Sequence, residues 1–140
     1  MKSTRIKNIK SVSVLILFLL LLGCTSSNFN LIIQPNKLSN DGQPFYVIVK
    51  KESMFNYLDS NVDSVYDSYL NTGKKDYGVL IYPSKGKQVI PIGKSKNQGI
   101  SVYFLFKRNK GEGSWKFYIN PNNQEDKTVN ISKNNVMEVL

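Results

Sequence analysis

Apolar positions in this chain fall into short runs separated by clusters of turn-forming residues. Residues 29–34 (FNLIIQ), 45–50 (FYVIVK), 77–82 (YGVLIY), 88–92 (QVIPI), 100–107 (ISVYFLFK), 114–120 (SWKFYIN), 127–132 (KTVNIS) and 136–140 are rich in β-branched and aromatic side chains, the composition of strands. Between them lie residues 35–44, 83–86, 109–113 and 121–123, dense in Pro, Gly, Asn and Lys, which read as turns. Trp115, Phe117 and Ile119 alternate with Lys116, Tyr118 and Asn120, so the first three are expected on one inward strand face. Residues 100–106 are nearly all apolar, as in a strand buried on both faces, and Pro91 assigns its run to an edge or a bulge.

The period changes between residues 53 and 70. Met54, Phe55, Leu58, Val62, Val65, Tyr66, Tyr69 and Leu70 recur at spacings of three and four, which predicts an amphipathic helix with a break near Ser60-Asn61. Ser53 is placed to cap its start, and Gly73 to stop it. Asp59, Asp63 and Asp67 form a row at spacing four. Carboxylates so placed repel one another, and no His completes a ligand set, so the row reads as a solvated face. Eight short strands and one inserted helix predict a mainly β protein, an antiparallel two-sheet β-sandwich.

The first part of the chain differs from the rest. Lys2, Arg5, Lys7 and Lys10 precede an unbroken apolar run at residues 14–22. A basic segment followed by a short apolar core is a secretory signal peptide, too short to span a bilayer. Leu21-Leu22-Gly23-Cys24 then resembles the bacterial lipobox, with Leu22 at a position that is usually small. The resemblance implies cleavage after Gly23 and acylation of Cys24, with residues 1–23 as signal peptide, 24–28 as lipidated tether and 29–140 as a periplasmic domain. Two or three acyl chains anchor stably where one is marginal. Thr25, rather than Asp, after the cysteine implies sorting to the outer membrane.

Composition narrows the chemistry. The 140 residues include 19 Lys or Arg, 10 Asp or Glu, one Cys and no His, for a formal charge of +9. Removing the four basic residues of the signal segment leaves 19 − 4 = 15 basic against 10 acidic residues. That mild excess is scattered, with no basic stripe, which argues against nucleic acid. Without His the usual general base and the commonest metal ligand are missing, and one Cys excludes an internal disulfide framework. No nucleophile, base and orienter are offered together. Gly111-Glu112-Gly113 lacks the Lys-Ser/Thr tail of a phosphate loop and reads as a hairpin turn. The chain is expected to be neither an enzyme nor a cofactor protein.

The order of the remaining features resembles one family, the outer-membrane lipoprotein of the type VI secretion system, TssJ. The corresponding pieces are Leu38-Ser39-Asn40-Asp41-Gly42-Gln43-Pro44, then Tyr46-Val47-Ile48-Val49-Lys50, Phe55, Val89-Ile90-Pro91-Ile92, the run from Val102 to Arg108, and Ser114-Trp115-Lys116. Lys116 replaces the usual Arg, and the helix is poor in Ala and Leu, which marks a divergent member. The resemblance covers about residues 29–120. It implies a transthyretin-like sandwich. It also implies a structural role at the outer-membrane end of a trans-envelope complex, with the periplasmic C-terminal part of the large inner-membrane component, TssM, as partner. The implied docking segment is the loop at residues 35–44, with Leu38, Ser39, Asn40, Asp41 and Gln43 as its contact residues. The competing reading is a lipoprotein module for a periplasmic glycan or another envelope component. Clustering of Tyr46, Tyr82 and Tyr118 on one face would favour it.

Overall fold

The computed structural model describes residues 27–72, 77–108 and 115–140. The signal segment, Cys24, Gly73 and the turn at Gly111-Glu112-Gly113 lie outside the described residues. The described strands are β1 (Asn28–Pro35), β2 (Phe45–Glu52), β3 (Tyr77–Ile81), β4 (Gln88–Gly93), β5 (Gly99–Leu105), β6 (Lys116–Ile119), β7 (Lys127–Ile131) and β8 (Met137–Val139). They form two four-stranded sheets, ordered β4-β1-β7-β8 and β3-β2-β5-β6. Pro91 lies on β4, an edge strand, where a missing N–H costs no ladder bond.

The sandwich core lies between the sheets. Leu31 and Ile33 of β1, Val47 of β2, Val102 and Phe104 of β5 and Val129 of β7 are fully buried there. β5 sits between β2 and β6, with the core on one face and the helices over the other. That position explains its nearly unbroken apolar run.

Three features depart from expectation. The pairing of β1 with β7 is parallel, Leu31 opposite Lys127 and Pro35 opposite Ile131. The chain leaves β6 and enters the first sheet at the end where β1 begins, so the two strands must run together. The single helix expected to carry a break near Ser60-Asn61 is fully divided there into two helices, α1 (Met54–Asp59) and α2 (Val62–Thr72). Ser60 adopts an extended backbone, and its Oγ donates to Tyr57 O at 2.6 Å. Asn61 then caps α2 reciprocally: Ser64 N–H donates to Asn61 Oδ1 at 2.8 Å, and Asn61 N–H to Ser64 Oγ at 3.1 Å. Two short polar side chains, each bonding backbone, end one helix and start the next.

The third departure is Trp115. Phe117 and Ile119 face the sandwich core, but Trp115 does not share their face. It sits on a bend just before β6. Its ring packs on Tyr103, centroids 5.5 Å apart, in a second cluster with Ile48 and Val65 beneath the helices. Alternation holds only within a regular strand, and the bend breaks it.

The sandwich has two ends. At one, β1 begins beside the end of β4 and β2 ends beside the start of β5: Asn28 pairs with Gly93, Glu52 with Gly99, and Lys94 N–H donates to Ser27 O at 3.1 Å. At the other, about 25 Å away along an eight-residue strand, lies the connection from β1 to β2.

Candidate functional site

The β1–β2 connection is a structured loop. Leu38 N–H donates to Asn36 Oδ1 at 2.9 Å, closing an Asx turn, and a 3-10 turn follows at Ser39–Gly42. Asn40 and Asp41 both adopt the left-handed region, with φ of 53° and 57°. Among non-glycine residues Asn and Asp occupy it at least cost, because their short side chains bond locally.

Those local bonds divide the five predicted contact residues into two groups. Ser39 and Asn40 are buried. Ser39 Oγ lies 3.1 Å from Ile131 O and 3.0 Å from Ser132 O, at the end of β7. Asn40 uses every polar group it has. Its N–H donates to Asn135 Oδ1 at 2.6 Å, its Nδ2 donates to Gln43 O at 3.1 Å and Pro44 O at 3.0 Å, and its Oδ1 accepts from Lys107 N–H at 2.6 Å. Asn40 therefore ties the loop to the end of β5 and to the β7–β8 turn. Leu38, Asp41 and Gln43 face solvent, Leu38 with 63% of its surface exposed. The arrangement is an apolar tip and two polar side chains on a base fixed by Ser39 and Asn40.

Beside the loop runs an open groove of about 410 Å³, whose walls include Gln43, Tyr46, Tyr66, Phe106 and Lys107. Tyr46 packs against Tyr69 with tilted rings, centroids 5.6 Å apart. The groove extends the exposed surface of the loop toward α2. Sequence periodicity did not reveal it, since it is formed by side chains from three separate segments.

A second groove, about 440 Å³ and mostly polar, runs between α1 and the sheet past Glu52, Asp59, Ser60 and Tyr103. Tyr103 O–H donates a short hydrogen bond to Glu52 Oε1. Burial first, then that bond, raises the Tyr103 pKa far above its ordinary value of 10.0. A neutral phenol held by a carboxylate is a structural tie here. Among the described residues no three His, Cys, Asp or Glu side chains converge on a common point.

Tyr46, Tyr82 and Tyr118 do not form a platform. Tyr46 lies at the loop end of β2, Tyr118 near the other end of β6 against Tyr57, and Tyr82 beyond β3 under the Lys85 ammonium. The Trp-basic pair has a structural role that sequence did not suggest. Lys116 Nζ donates to Tyr57 O and Ser60 O, both at 2.8 Å, and lies over the Tyr57 and Trp115 rings at 4.8 and 5.4 Å. A cation on the last carbonyls of α1 caps that helix and complements its dipole.

Two four-stranded sheets packed face to face, helices over one of them and a projecting β1–β2 loop define a class: the helix-decorated β-sandwich domains. Solved structures share this fold. A chain of the structure described as the T6SS protein TssM C-terminal domain (869–1107) from EAEC superposes with TM-score 0.63 at 14% identity, covering 81% of this chain and 97% of that one. Lip of Serratia marcescens, a membrane-bound component of the type VI secretion system, gives TM-score 0.63 at 12% identity, over 83% of this chain and 97% of that one. The T6SS lipoprotein TssJ1 of Pseudomonas aeruginosa gives 0.59 at 11% identity, over 82% and 95%. No curated protein matches the sequence. The chain belongs to the family described as IglE, N-terminal domain, whose profile matches residues 46–132. That span begins just after the loop and runs through β7.

Proposed function

We propose that this protein is a non-catalytic lipoprotein of a type VI secretion envelope complex. Acyl chains on Cys24 hold it at the outer membrane, facing the periplasm. Its β1–β2 loop docks on the periplasmic C-terminal domain of a TssM-like inner-membrane component. What supports the reading, beyond family and fold, is the two-ended layout. The lipobox cysteine lies four residues before β1, and the loop lies at the far end of that same strand. An anchor at one end turns the other end toward the periplasm. There an exposed Leu38 flanked by Asp41 and Gln43 stands on a rigid base. A small apolar tip with a polar rim, already ordered, is how a compact interface binds at low entropic cost.

Two measurements test the two halves. Mass spectrometry of protein isolated from membranes is expected to find acyl chains on Cys24. Cys24→Ser is expected to leave uncleaved precursor or a soluble form. Leu38→Asp is expected to keep fold and anchoring while losing capture of the partner domain. An unmodified Cys24 defeats the anchor, and full capture by a folded Leu38→Asp protein defeats the docking site.

A further inference from the structure

The helices cover the second sheet incompletely. α1 buries none of its six residues. Phe55 is 83% exposed, the most of any large apolar side chain described, and Leu58 and Met54 are 65% and 43% exposed. Tyr57 faces the sheet, packing on Tyr103 and Tyr118. Phe55 lies nearly opposite Tyr57 round the helix, and Leu58 at i+3 and the exposed Asp59 at i+4 flank it on the outward side. A lone apolar residue on a surface needs no explanation, whereas adjacent Phe, Leu and Met on one short helix do.

The position of α1 in the fold selects what covers it. β2 ends at Glu52, opposite Gly99, and the chain enters α1 after the single residue Ser53. The same end holds Ser27, Asn28, Gly93 and Lys94. Lys51 crosses between the sheets there, its Nζ 3.7 Å from the position a Cβ on Gly93 would occupy, as is Asn28 Oδ1. Three residue steps separate Ser27 from Cys24, a reach of about 10 Å when extended. An acylated Cys24 sits at the headgroup level of the bilayer, so this end is held against lipid. Its exposed cations are Lys51, Lys94 and Lys96. Three of its acids have a partner within the fold, Glu125 while remaining largely exposed, and Asp59 at the end of α1 is exposed. Glu52 accepts from Tyr103, Asp126 accepts from Asn30 N–H at 2.6 Å, and Glu125 lies 3.4 Å from Lys127 Nζ. Apolar side chains beside lysines are the composition of a surface that enters the headgroup region of an anionic bilayer.

We propose that α1 is a membrane-contact element: Phe55, Leu58 and Met54 enter the outer edge of the bilayer that holds Cys24, and Lys51, Lys94 and Lys96 meet anionic headgroups. The inference rests on the anchor proposed above. Anchor and helix together fix the tilt of the sandwich by two points of attachment, and so fix the direction in which the β1–β2 loop points.

The test uses the full chain purified from membranes. Its acylation is first established by mass spectrometry, so that failure of the anchor is scored separately. The protein is reconstituted into phosphatidylethanolamine/phosphatidylglycerol vesicles with and without brominated acyl chains. In Phe55→Trp, emission of the introduced indole is expected to shift to the blue and to lose intensity with brominated lipid. In Val136→Trp, at the loop end, it is expected to do neither. Native Trp115, 5% exposed, supplies a constant background measured in the unsubstituted chain. Lys51→Glu/Lys94→Glu/Lys96→Glu in the Phe55→Trp background is expected to lose the lipid quenching in anionic vesicles. An acylated, vesicle-bound Phe55→Trp protein whose indole emits as in water and is quenched only by aqueous iodide overturns the proposal. A blue shift that appears only on adding the partner's periplasmic domain overturns it as well, since it assigns the face to protein.

Discussion

Asn40 carries more of the loop's structure than any neighbour. It links residues 67 and 95 positions away in sequence through Lys107 and Asn135, and its backbone is left-handed. Asn40→Ala removes three side-chain bonds, leaves the Lys107 amide without its acceptor, and places a Cβ-bearing residue in αL without local compensation. A loss of about 2–4 kcal/mol is expected, readable as a lower urea midpoint with unchanged slope. Leu38→Asp, two residues away and solvent-facing, is expected to change stability by less than about 0.5 kcal/mol. Equal effects of the two would mean that the buried base and the exposed tip are not separate. Tyr103 yields a second test at this scale. Its folded pKa lies above its unfolded value of 10.0, so its contribution is complete below that value and lost as pH rises through the folded one. Wild-type stability is therefore expected to fall with rising pH above about 10 more steeply than that of Tyr103→Phe. Parallel pH profiles for the two proteins would show the phenol to be exposed.

At the scale of elements, the union of helices and sheet is thin and aromatic. Val65 is the one apolar helix residue fully buried among those described, and Trp115, Tyr103 and Lys116 do the rest. Trp115→Ala is expected to cost about 3–5 kcal/mol, though its cavity opens beneath the helices rather than in the sandwich. Accordingly, backbone amides of α1 and α2 are expected to lose hydrogen-exchange protection before those of β1 and β7. Uniform loss across both sheets would place Trp115 in the main core. Two glycines belong to the same architecture. The Tyr69 ring lies over Gly78 and the Tyr118 ring over Gly99, in space that any Cβ would enter, so a strand glycine here makes room for a covering aromatic.

These elements also show what periodicity can and cannot carry. All eight strands were legible, because β-branched runs between turn residues leave few alternatives. The break at Ser60-Asn61 was legible from two polar capping residues. The orientation of the helix was not: the eight apolar residues of its stripe include Phe55, Leu58, Tyr66 and Leu70, which face solvent. An apolar stripe reports that a face avoids water, and it cannot say whether sheet, lipid or partner covers it. The loop's position was legible from its prolines. The inward turn of Ser39 and Asn40 was not, since it depends on Asn135 and Lys107, which only the fold brings near.

At the scale of the whole molecule, the proposed function needs an anchor at one end of the sandwich and a docking surface at the other. The loop, the end of β5 and the β7–β8 turn are bonded into one unit at one end of the sandwich. The strand from Asn28 to Pro35 sets the distance between that unit and the end proposed to carry the anchor. Shortening the tether is expected to leave folding unchanged and to impair secretion, because it draws the docking end toward the membrane. The most direct measurement compares capture of the TssM-like periplasmic C-terminal domain by the full acylated chain in detergent, wild type against Leu38→Asp/Asp41→Lys/Gln43→Lys, with melting curves recorded on both. The account predicts equal melting and loss of capture in the variant. Capture equal to wild type by a variant that melts normally would contradict it and move the interface away from the loop.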